Sequence, residues 1–149
     1  MVKIQGLHEN FMRAALKEAI FSKRKGEWVG GAVLIRGGKI IAKAQNTVQL
    51  SKDPTAHSEI NVIRKACRKL NTTDLEGTDL YTNAEPCPMC MSACIWSNIR
   101  NVYYGASLKD LMKLGDFQIK IFNSDIVKKS FRKVGIKGGI LREESLKLL

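Results

Sequence analysis

Apolar side chains recur along the chain at two spacings, one typical of helices and one typical of strands. Between Leu7 and Arg24 they form a wide stripe at intervals of three and four residues, which predicts an amphipathic helix. Segments Trp28–Ile35 and Lys39–Ala44 are rich in apolar residues and flank a Gly-Gly pair, which predicts a β-hairpin. The chain is therefore expected to begin with a helix followed by two antiparallel strands.

Helical and strand patterns alternate after the hairpin. A loop over 46–54 leads to a helix with a predicted N-cap at Thr55 and an apolar stripe at Ile60, Ile63, Cys67 and Leu70. Further strands are predicted over 80–82, 102–105 and 131–136. Further helices are predicted over 87–97, over 107–114 and at the C-terminus, whereas 116–129 match neither pattern. Alternation of this kind predicts an α/β protein with a mixed sheet of five strands, covered by helices on both faces.

Composition narrows the class of protein. The 149 residues are 44% hydrophobic and 26% charged, which suits a single domain over 1–149 with a substantial core. No apolar run reaches the ~18 residues of a membrane-spanning helix, and the N-terminus lacks the apolar core of a signal peptide. These features predict a cytoplasmic protein that does not enter a membrane.

The net charge is strongly positive and unevenly distributed. Lys and Arg number 25 against 14 Asp and Glu, which gives +11 at pH 7. Such an excess is typical of a solvated basic surface and also of proteins that bind nucleic acids. The segment 71–99, which carries three of the four cysteines, holds no Lys or Arg. The charge therefore leaves RNA binding open but lies away from the candidate chemistry.

Two short motifs, His57–Glu59 and Pro86–Cys90, carry that chemistry. Cys87 and Cys90 are three residues apart and share one face of a helix, and Pro88 favours a helix start at this point. The N–H groups and positive dipole of a first turn lower the pKa of a thiol, and the thiolate is the form that binds metal. Without a secretory signal, metal binding or catalysis is expected rather than a disulfide.

One imidazole and two thiolates suit tetrahedral zinc. His57, Cys87 and Cys90 would bind one Zn²⁺ per subunit and leave the fourth position for water. Glu59 is the carboxylate that sequence spacing holds beside these ligands, so it is the predicted general acid and base. With His57 expected in the first turn of its helix, residues 57 and 59 diverge by about 200°, so the helix end has to face the metal.

A closed structural zinc site is the alternative drawn from the same residues. Cys94 lies one turn beyond Cys90 and would be the fourth ligand of the zinc in such a site. If Cys94 is not a ligand, it and Cys67 fit the role of small core hydrophobes. His8 has no partner in the sequence and is expected at the surface.

The segments Asp53–Glu59 and Glu85–Cys90 resemble the zinc motifs of the cytidine deaminase-like superfamily of nucleobase and nucleoside deaminases. The resemblance runs from about residue 11 to the C-terminus. Glu85 and Met89 resemble the residues found at these positions in the purine-acting branch of the superfamily. This branch contains guanine deaminases and tRNA adenosine deaminases. The resemblance implies a three-layer α/β/α fold, zinc on the three ligands named above, and a homodimer.

The resemblance to this superfamily also implies that Asn46 contacts the base of the substrate. Two positions depart from the pattern of the superfamily. Ser58 stands where Ala is usual between the His and the Glu, and Gly30 stands where relatives carry a bulky Phe or Val. The absence of a side chain at position 30 predicts a wider pocket.

Guanine, deaminated to xanthine, is the first substrate expected from the resemblance. Asp110 falls where guanine deaminases place an acid that recognises the base, and Trp96 stands where tRNA enzymes tend to have His. Asp110 and Trp96 are therefore assigned to substrate binding, although Asp110 also fits the start of a helix. The segment 115–118 departs from the run usual in guanine deaminases.

Adenosine in tRNA, deaminated to inosine, is the alternative substrate. The positive charge and the segment Gly139–Glu144 favour it, whereas the arginine-rich extension of such enzymes would lie beyond Leu149. Cytosine or a cytidine nucleotide is the third candidate. A structural zinc module and a catalytically inactive RNA-binding relative remain the alternatives without enzymatic activity.

Overall fold

A computed structural model of the chain describes residues 2–149. Five strands form its sheet: β1 (Gly31–Arg36), β2 (Lys39–Gln45), β3 (Thr78–Ala84), β4 (Asn101–Ala106) and β5 (Gly135–Lys137). Seven helices surround it: α1 (Val2–Arg24), α2 (Val48–Ser51), α3 (Ser58–Leu70), α4 (Pro88–Trp96), α5 (Leu108–Lys113), α6 (Asn123–Lys128) and α7 (Arg142–Leu148). No helix within the described range has both the length and the apolarity needed to cross a bilayer.

The sheet is mixed, in the order β2-β1-β3-β4-β5. Strand β1 pairs antiparallel with β2 and β3, whereas β3, β4 and β5 run parallel. Parallel strands require crossover connections, and α4 supplies the one between β3 and β4. The predicted α/β fold with a mixed five-stranded sheet is confirmed.

Each face of the sheet has its own hydrophobic core. Helix α1 packs on one face, where Met12, Ala15 and Leu16 meet Val33 and Ile35 of β1. Helices α3 and α4 pack on the other face, and their buried side chains meet the alternate residues of β1, β3 and β4. Because successive side chains of a strand point to opposite faces, β1 is buried on both sides. The result is the expected three-layer arrangement.

Gly31 allows α1 to lie directly on β1. A Cβ atom at this position would stand 2.3 Å from the backbone oxygen of Ala15 and 2.3 Å from the backbone nitrogen of Ala19. Any side chain here would push the helix off the sheet.

The N-terminal elements differ from the sequence prediction at two boundaries. Helix α1 begins at Val2 rather than Leu7. Strand β1 begins at Gly31 rather than Trp28, because the preceding segment is anchored to α2. The Glu27 carboxylate accepts hydrogen bonds from the first N–H groups of that helix, those of Gln49 at 3.0 Å and Leu50 at 2.5 Å. The predicted loop over 46–54 therefore contains a helical turn.

His8 lies within α1 and was wrongly expected at the surface. It is half-buried, and its Nδ1 lies 2.6 Å from the hydroxyl of Tyr81 on β3. Its ring also lies 4.7 Å, between centroids, from that of Tyr103. Only packing of α1 on the sheet brings these side chains together.

Helix α3 begins two residues later than predicted, with its N-cap at His57 instead of Thr55. The Asp53 carboxylate accepts hydrogen bonds from the N–H of Thr55 at 2.8 Å and from its hydroxyl at 2.6 Å, so Thr55 belongs to a turn and His57 is the N-cap. The buried positions are Ser58, Glu59, Val62 and Ala66, whereas the predicted stripe at 60, 63, 67 and 70 is only half-buried. The small side chains at 62 and 66 let the helix approach the sheet closely.

The C-terminal elements are shorter than predicted. Helix α6 lies within the segment that matched neither pattern, and β5 is confined to Gly135–Lys137. Residues 130–132 form a local turn instead of a strand, and the Arg132 guanidinium donates a hydrogen bond of 2.9 Å to the backbone oxygen of Ile95. This contact holds the turn against the end of α4.

Candidate metal centre and active site

The N-termini of α3 and α4 meet on one side of the sheet. His57 is the N-cap of α3 and Cys87 the N-cap of α4, and both have extended backbone conformations. Neither side chain caps its own helix, so both are free to turn towards a common point. The sequence predicted both residues within the first turns of their helices, but both are N-caps. Because the backbone of His57 is not helical, its side chain does not have to point about 200° away from that of Glu59.

His57, Cys87 and Cys90 form the one group of three potential ligands among residues 2–149, with ligand atoms within 4.8 Å of one another. The Nδ1 atom of His57 lies 3.7 Å from the sulfur of Cys87 and 3.6 Å from that of Cys90. Tetrahedral zinc, with bonds of about 2.3 Å to sulfur and about 2.0 Å to nitrogen, would hold these atoms about 3.6 Å apart. The donor set and its spacing therefore fit zinc.

The closed site with Cys94 as fourth ligand is not assembled. Cys94 is completely buried in the core between the sheet and α4, and it is not part of the ligand group. Cys67 packs half-buried against the same core. Both cysteines fill space as small hydrophobes, which leaves the metal position with three ligands.

Hydrogen bonding among the three ligands prepares Cys87 to bind metal. A hydrogen bond from Cys90, reinforced by His57, lowers the pKa of the Cys87 thiol to about 4 against the opposing effect of burial. The hydrogen bond to Cys87 raises the pKa of His57. The pKa of Cys90 is raised, because this thiol is the donor to Cys87 and is buried. Metal binding displaces the protons that the group shares.

Glu59 lies beside the ligands with both carboxylate oxygens held. Oε1 accepts a hydrogen bond of 2.8 Å from the Thr82 hydroxyl, and Oε2 accepts one of 3.1 Å from the Ser58 hydroxyl. Oε2 also lies 3.7 Å from the sulfur of Cys90. The side chain is 8% exposed, so it combines contact with the ligands and limited access to solvent.

Two residues at this site were missed by the sequence analysis. Thr82 reaches Glu59 from β3, and the alternation that places it on the same face as Leu80 was the available signal. Trp28 lies with its ring 6.1 Å from that of His57, edge to face, and remains 55% exposed. An aromatic side chain this exposed next to a ligand offers a surface on which a base can stack.

Asn46 lies beside Gly30, which also adjoins Ser58, the residue whose hydroxyl donates to Glu59. Its N–H donates a hydrogen bond of 3.0 Å to the backbone oxygen of Gly30, and its Oδ1 accepts one of 3.1 Å from the N–H of Val48. A Cβ atom at Gly30 would stand 3.1 Å from the Cβ of Asn46 and 3.3 Å from the hydroxyl of Ser58. The wider pocket expected from Gly30 is therefore wrong at this point, because Asn46 and Ser58 fill the space.

Asp110 and Trp96 are not brought to the metal ligands in this chain. Asp110 caps α5 through Ser107, and its two oxygens accept hydrogen bonds of 2.6 and 2.9 Å from the guanidinium of Arg142. Trp96 ends α4, about 9 Å along the axis from Cys90. It is 73% exposed, with its ring 5.0 Å from that of Phe131. Their assignment to substrate stays a prediction.

A cavity of about 330 Å³, lined by Tyr104, Phe122 and Ile136 as well as by polar side chains, lies beside the strand end that leads to Cys87. The buried Glu85 carboxylate accepts hydrogen bonds from the N–H groups of Leu108 at 2.7 Å and Asn123 at 3.2 Å, which ties α5 and α6 to this strand end. Other residues that line the cavity are Ser107, Lys109 and Ser124. The buried side-chain amide of Asn123 has no hydrogen-bond partner within the described chain.

Comparison with known proteins places this geometry among deaminases. The model of the cytidine and deoxycytidylate deaminase zinc-binding region matches residues 5–106. The tRNA-specific adenosine deaminase of Aquifex aeolicus is 48% identical over 98 residues, 66% of this chain and 65% of that protein. The guanine deaminase of Bacillus subtilis is 42% identical over 111 residues, 72% of this chain and 70% of that protein. The match to the Aquifex protein thus spans just under two thirds of its length.

A solved structure from work on A-to-I editing by tRNA:A34 deaminases superposes with a TM-score of 0.83 at 33% identity. The superposition covers 94% of this chain and 99% of that one. The similarity therefore extends beyond the residues of the family match.

Proposed function

The chain belongs to the cytidine and deoxycytidylate deaminase zinc-binding family, and from that premise we propose that it is a cytoplasmic hydrolytic deaminase of adenosine in tRNA. The observation that carries the proposal is the fit of one imidazole and two thiols to zinc, with the Glu59 carboxylate beside them. Hydrolytic deamination needs an activated water and a proton carrier, and this arrangement provides for both.

Each residue of the centre has a separate task in the proposed reaction. When bound by His57, Cys87 and Cys90, zinc supplies the activation of water near neutral pH. Glu59 accepts the proton of that water and delivers it to the ring nitrogen next to the carbon under attack. Glu59 then accepts the second proton from the hydroxyl group added to the base and transfers it to the amino group, which leaves as ammonia, and the base retains the oxygen of the water.

Adenosine in tRNA is preferred here to guanine, the substrate first expected from the sequence. Most of the similar sequences are tRNA-specific adenosine deaminases, and a solved structure from work on tRNA:A34 deaminases superposes over 99% of its own length. The net charge of +11 suits a polyanionic substrate. The cavity beside Glu85, lined in part by Lys109 and Ser124, offers polar contacts to nucleotides that flank the base.

Guanine remains the second candidate because of the Bacillus subtilis relative. Its main support in the sequence was Asp110 as the acid that recognises the base. That carboxylate is engaged by Arg142 and Ser107, so it would have to exchange these partners to bind guanine. Cytosine stays third, with no observation in its favour.

One set of assays distinguishes the substrates. Zinc-loaded protein is mixed with a tRNA anticodon stem-loop that contains adenosine, with guanine and with cytosine, and ammonia and the product base are measured. The proposal expects inosine in the stem-loop. It also expects KM to rise more than ~10-fold between about 50 and 200 mM salt, because counterions are released on binding. Salt-insensitive turnover of free guanine without inosine formation would establish the second candidate instead.

Two glutamine variants control these assays. Glu59→Gln retains the size of the side chain and one of its two acceptor oxygens but cannot carry the proton, so turnover should fall by about 10²- to 10⁴-fold with zinc retained. Glu76→Gln, at an exposed glutamate distant in sequence from the motifs, should turn over like the unmodified protein. Full activity of Glu59→Gln would contradict the proposed mechanism.

The proposal includes a homodimer, as expected from the resemblance. Trp96 and Phe131 form an exposed aromatic pair at the end of α4, with 73% and 62% of their surfaces accessible. Exposed apolar pairs of this kind favour contact with a partner surface. A second copy of the chain would cover them.

A further inference from the structure

The carboxylate of Glu59 is held by two hydroxyl groups that come from different elements of the fold. Ser58 is the first residue of α3, and its hydroxyl donates to Oε2 at 3.1 Å. Thr82 lies on β3, and its hydroxyl donates to Oε1 at 2.8 Å. All three residues are buried. Each carboxylate oxygen thus has one hydroxyl donor, and Oε2 also contacts the sulfur of Cys90 at 3.7 Å.

Two hydrogen-bond donors fix the orientation of the Glu59 carboxylate, whereas a single donor would allow it to rotate. The last torsion of a glutamate side chain is broad and not confined to staggered rotamers, so the side chain alone does not fix the carboxylate plane. A single hydrogen bond allows the group to turn about that contact. One donor on each oxygen sets the plane and leaves further lone pairs available for a proton.

Thr82 is a rigid anchor for this purpose. It lies on a central strand, where it pairs with Ala32 of β1 on one side and with Tyr104 of β4 on the other. Its β-branched side chain also has few χ1 rotamers. The hydroxyl position is therefore set by the sheet, which is the least mobile part of such a fold.

Gly30 provides the space for the second hydroxyl. A Cβ atom at Gly30 would stand 3.3 Å from the Ser58 hydroxyl and 3.1 Å from the Cβ of Asn46, closer than side chains normally pack. Any side chain at position 30 would press the Ser58 hydroxyl away from its place beside Glu59. The two residues that depart from the pattern of the superfamily, Gly30 and Ser58, are thus neighbours and act on the same carboxylate.

We propose that Ser58 and Thr82 are positioning residues, which together hold the Glu59 carboxylate in the orientation that proton transfer requires. Gly30 is the space-providing part of this arrangement. The proposal rests on the deaminase function proposed above. It does not depend on which base is the substrate, because the same carboxylate serves every candidate.

The kinetic test compares two substitutions of Thr82 that differ mainly in the hydroxyl. Thr82→Val has nearly the shape of threonine but no donor, and kcat should fall by about 10- to 100-fold, as expected for loss of a hydrogen bond to a charged group. KM should change by less than about threefold, since the carboxylate is displaced rather than removed. Thr82→Ser restores the donor and should recover most of kcat. Ser58→Ala should lower kcat in the same way.

Thr78→Val is the matched control. Thr78 is buried on the same strand and the same face as Thr82, but its hydroxyl donates to the backbone oxygen of Leu75 at 2.7 Å. Its substitution should lower the free energy of unfolding and leave kcat within about twofold of the unmodified protein. If Thr82→Val keeps full kcat, or Thr82→Ser is as slow as Thr82→Val, the role of Thr82 is overturned.

Gly30→Ala tests the space beside Ser58 in a double-mutant cycle. The added methyl group should lower kcat in the unmodified protein but have a smaller effect in the Ser58→Ala variant, where no hydroxyl can be displaced. Equal effects in both backgrounds would show that Gly30 acts through Asn46 or the fold instead.

Zinc content and crystallography give readouts that do not depend on turnover. Each variant should bind one zinc per chain, and the Glu59 carboxylate should lose its single orientation in Thr82→Val but retain it in Thr78→Val. An unchanged carboxylate in Thr82→Val would overturn the inference. Failure of the proposed function looks different: the unmodified protein would release no ammonia from any base, while the crystal structures would still report on the carboxylate.

Discussion

At the scale of single residues, the centre depends on which cysteines face the metal and which face the core. Cys87 and Cys90 lie at the start of α4, and Cys94 lies one turn further, where it is fully buried. The three thiols are close in sequence, yet only the first two share the ligand group with His57. The position of each cysteine along α4 therefore decides its role: thiols at the start of the helix face the metal position, and a thiol one turn later packs in the core.

Serine substitutions test this separation. Cys87→Ser should lose zinc, because a hydroxyl is a far weaker ligand than a thiolate. Cys94→Ser should retain one zinc per chain and be destabilised by about 1–3 kcal/mol, because it buries a hydroxyl in an apolar core. The measurements are zinc content after dialysis and the free energy of unfolding in urea. Equal loss of zinc in both variants would restore the closed four-ligand site.

At the scale of elements, α5 and α7 are joined by an ion pair between Asp110 and Arg142. The hydrogen bonds of the Arg142 guanidinium, helped by those of Ser107, hold the pKa of the Asp110 carboxyl well below its usual range. The carboxylate also caps α5 through the N–H and hydroxyl of Ser107. One buried carboxylate thus fixes a helix start and docks the C-terminal helix.

Removal of Arg142 should reduce stability in a pH-dependent way. Because the pKa of Asp110 is lowered in the folded state, its contribution is present above about pH 4 and is lost as the pH falls and the carboxylate is protonated. Arg142→Ala should therefore lower the free energy of unfolding at pH 7 and have a much smaller effect near pH 2.

Arg13→Ala provides the control for this measurement. Arg13 forms its ion pairs with Glu9 and Glu144 at 3.7 and 3.6 Å, and all three side chains are largely accessible to solvent. Such pairs contribute less than about 1 kcal/mol, so this variant should unfold like the unmodified protein. A difference for Arg142→Ala that is constant from pH 7 to pH 2 would rule out the ion pair as its cause.

At the scale of the whole molecule, the sheet separates two different surfaces. One face carries α1 and α7, and the other carries α3 and α4, whose N-termini build the metal centre. The far end of α4 exposes Trp96 next to Phe131. The same helix therefore connects the metal centre to the surface proposed for a second copy of the chain.

Sedimentation velocity tests that assembly. The unmodified protein should sediment as a dimer at micromolar concentration, and Trp96→Glu should shift it towards the monomer because a charge would have to be buried at the contact. Lys113→Glu, an exposed change on α5, should leave the sedimentation coefficient unaltered. A monomer in the unmodified protein would contradict the homodimer.

The sequence by itself determined the α/β class, the order of the five strands and of the longer helices, and the ligands of the metal. These follow from local causes: periodicity separates strands from helices, and the spacing of Cys87 and Cys90 puts both thiols at one helix start. His57 and Glu59 were found because two motifs, distant in the chain, have the composition that zinc hydrolysis requires.

Only the tertiary structure decided what surrounds those ligands. Thr82 and Trp28 reach the centre from a strand and a loop, Asp110 turns to Arg142, and Cys94 turns to the core. Likewise, Ser58 and Asn46 occupy the space next to Gly30. Each outcome depends on contacts between elements distant in the chain, and such contacts are set by how helices pack on the sheet rather than by any local pattern.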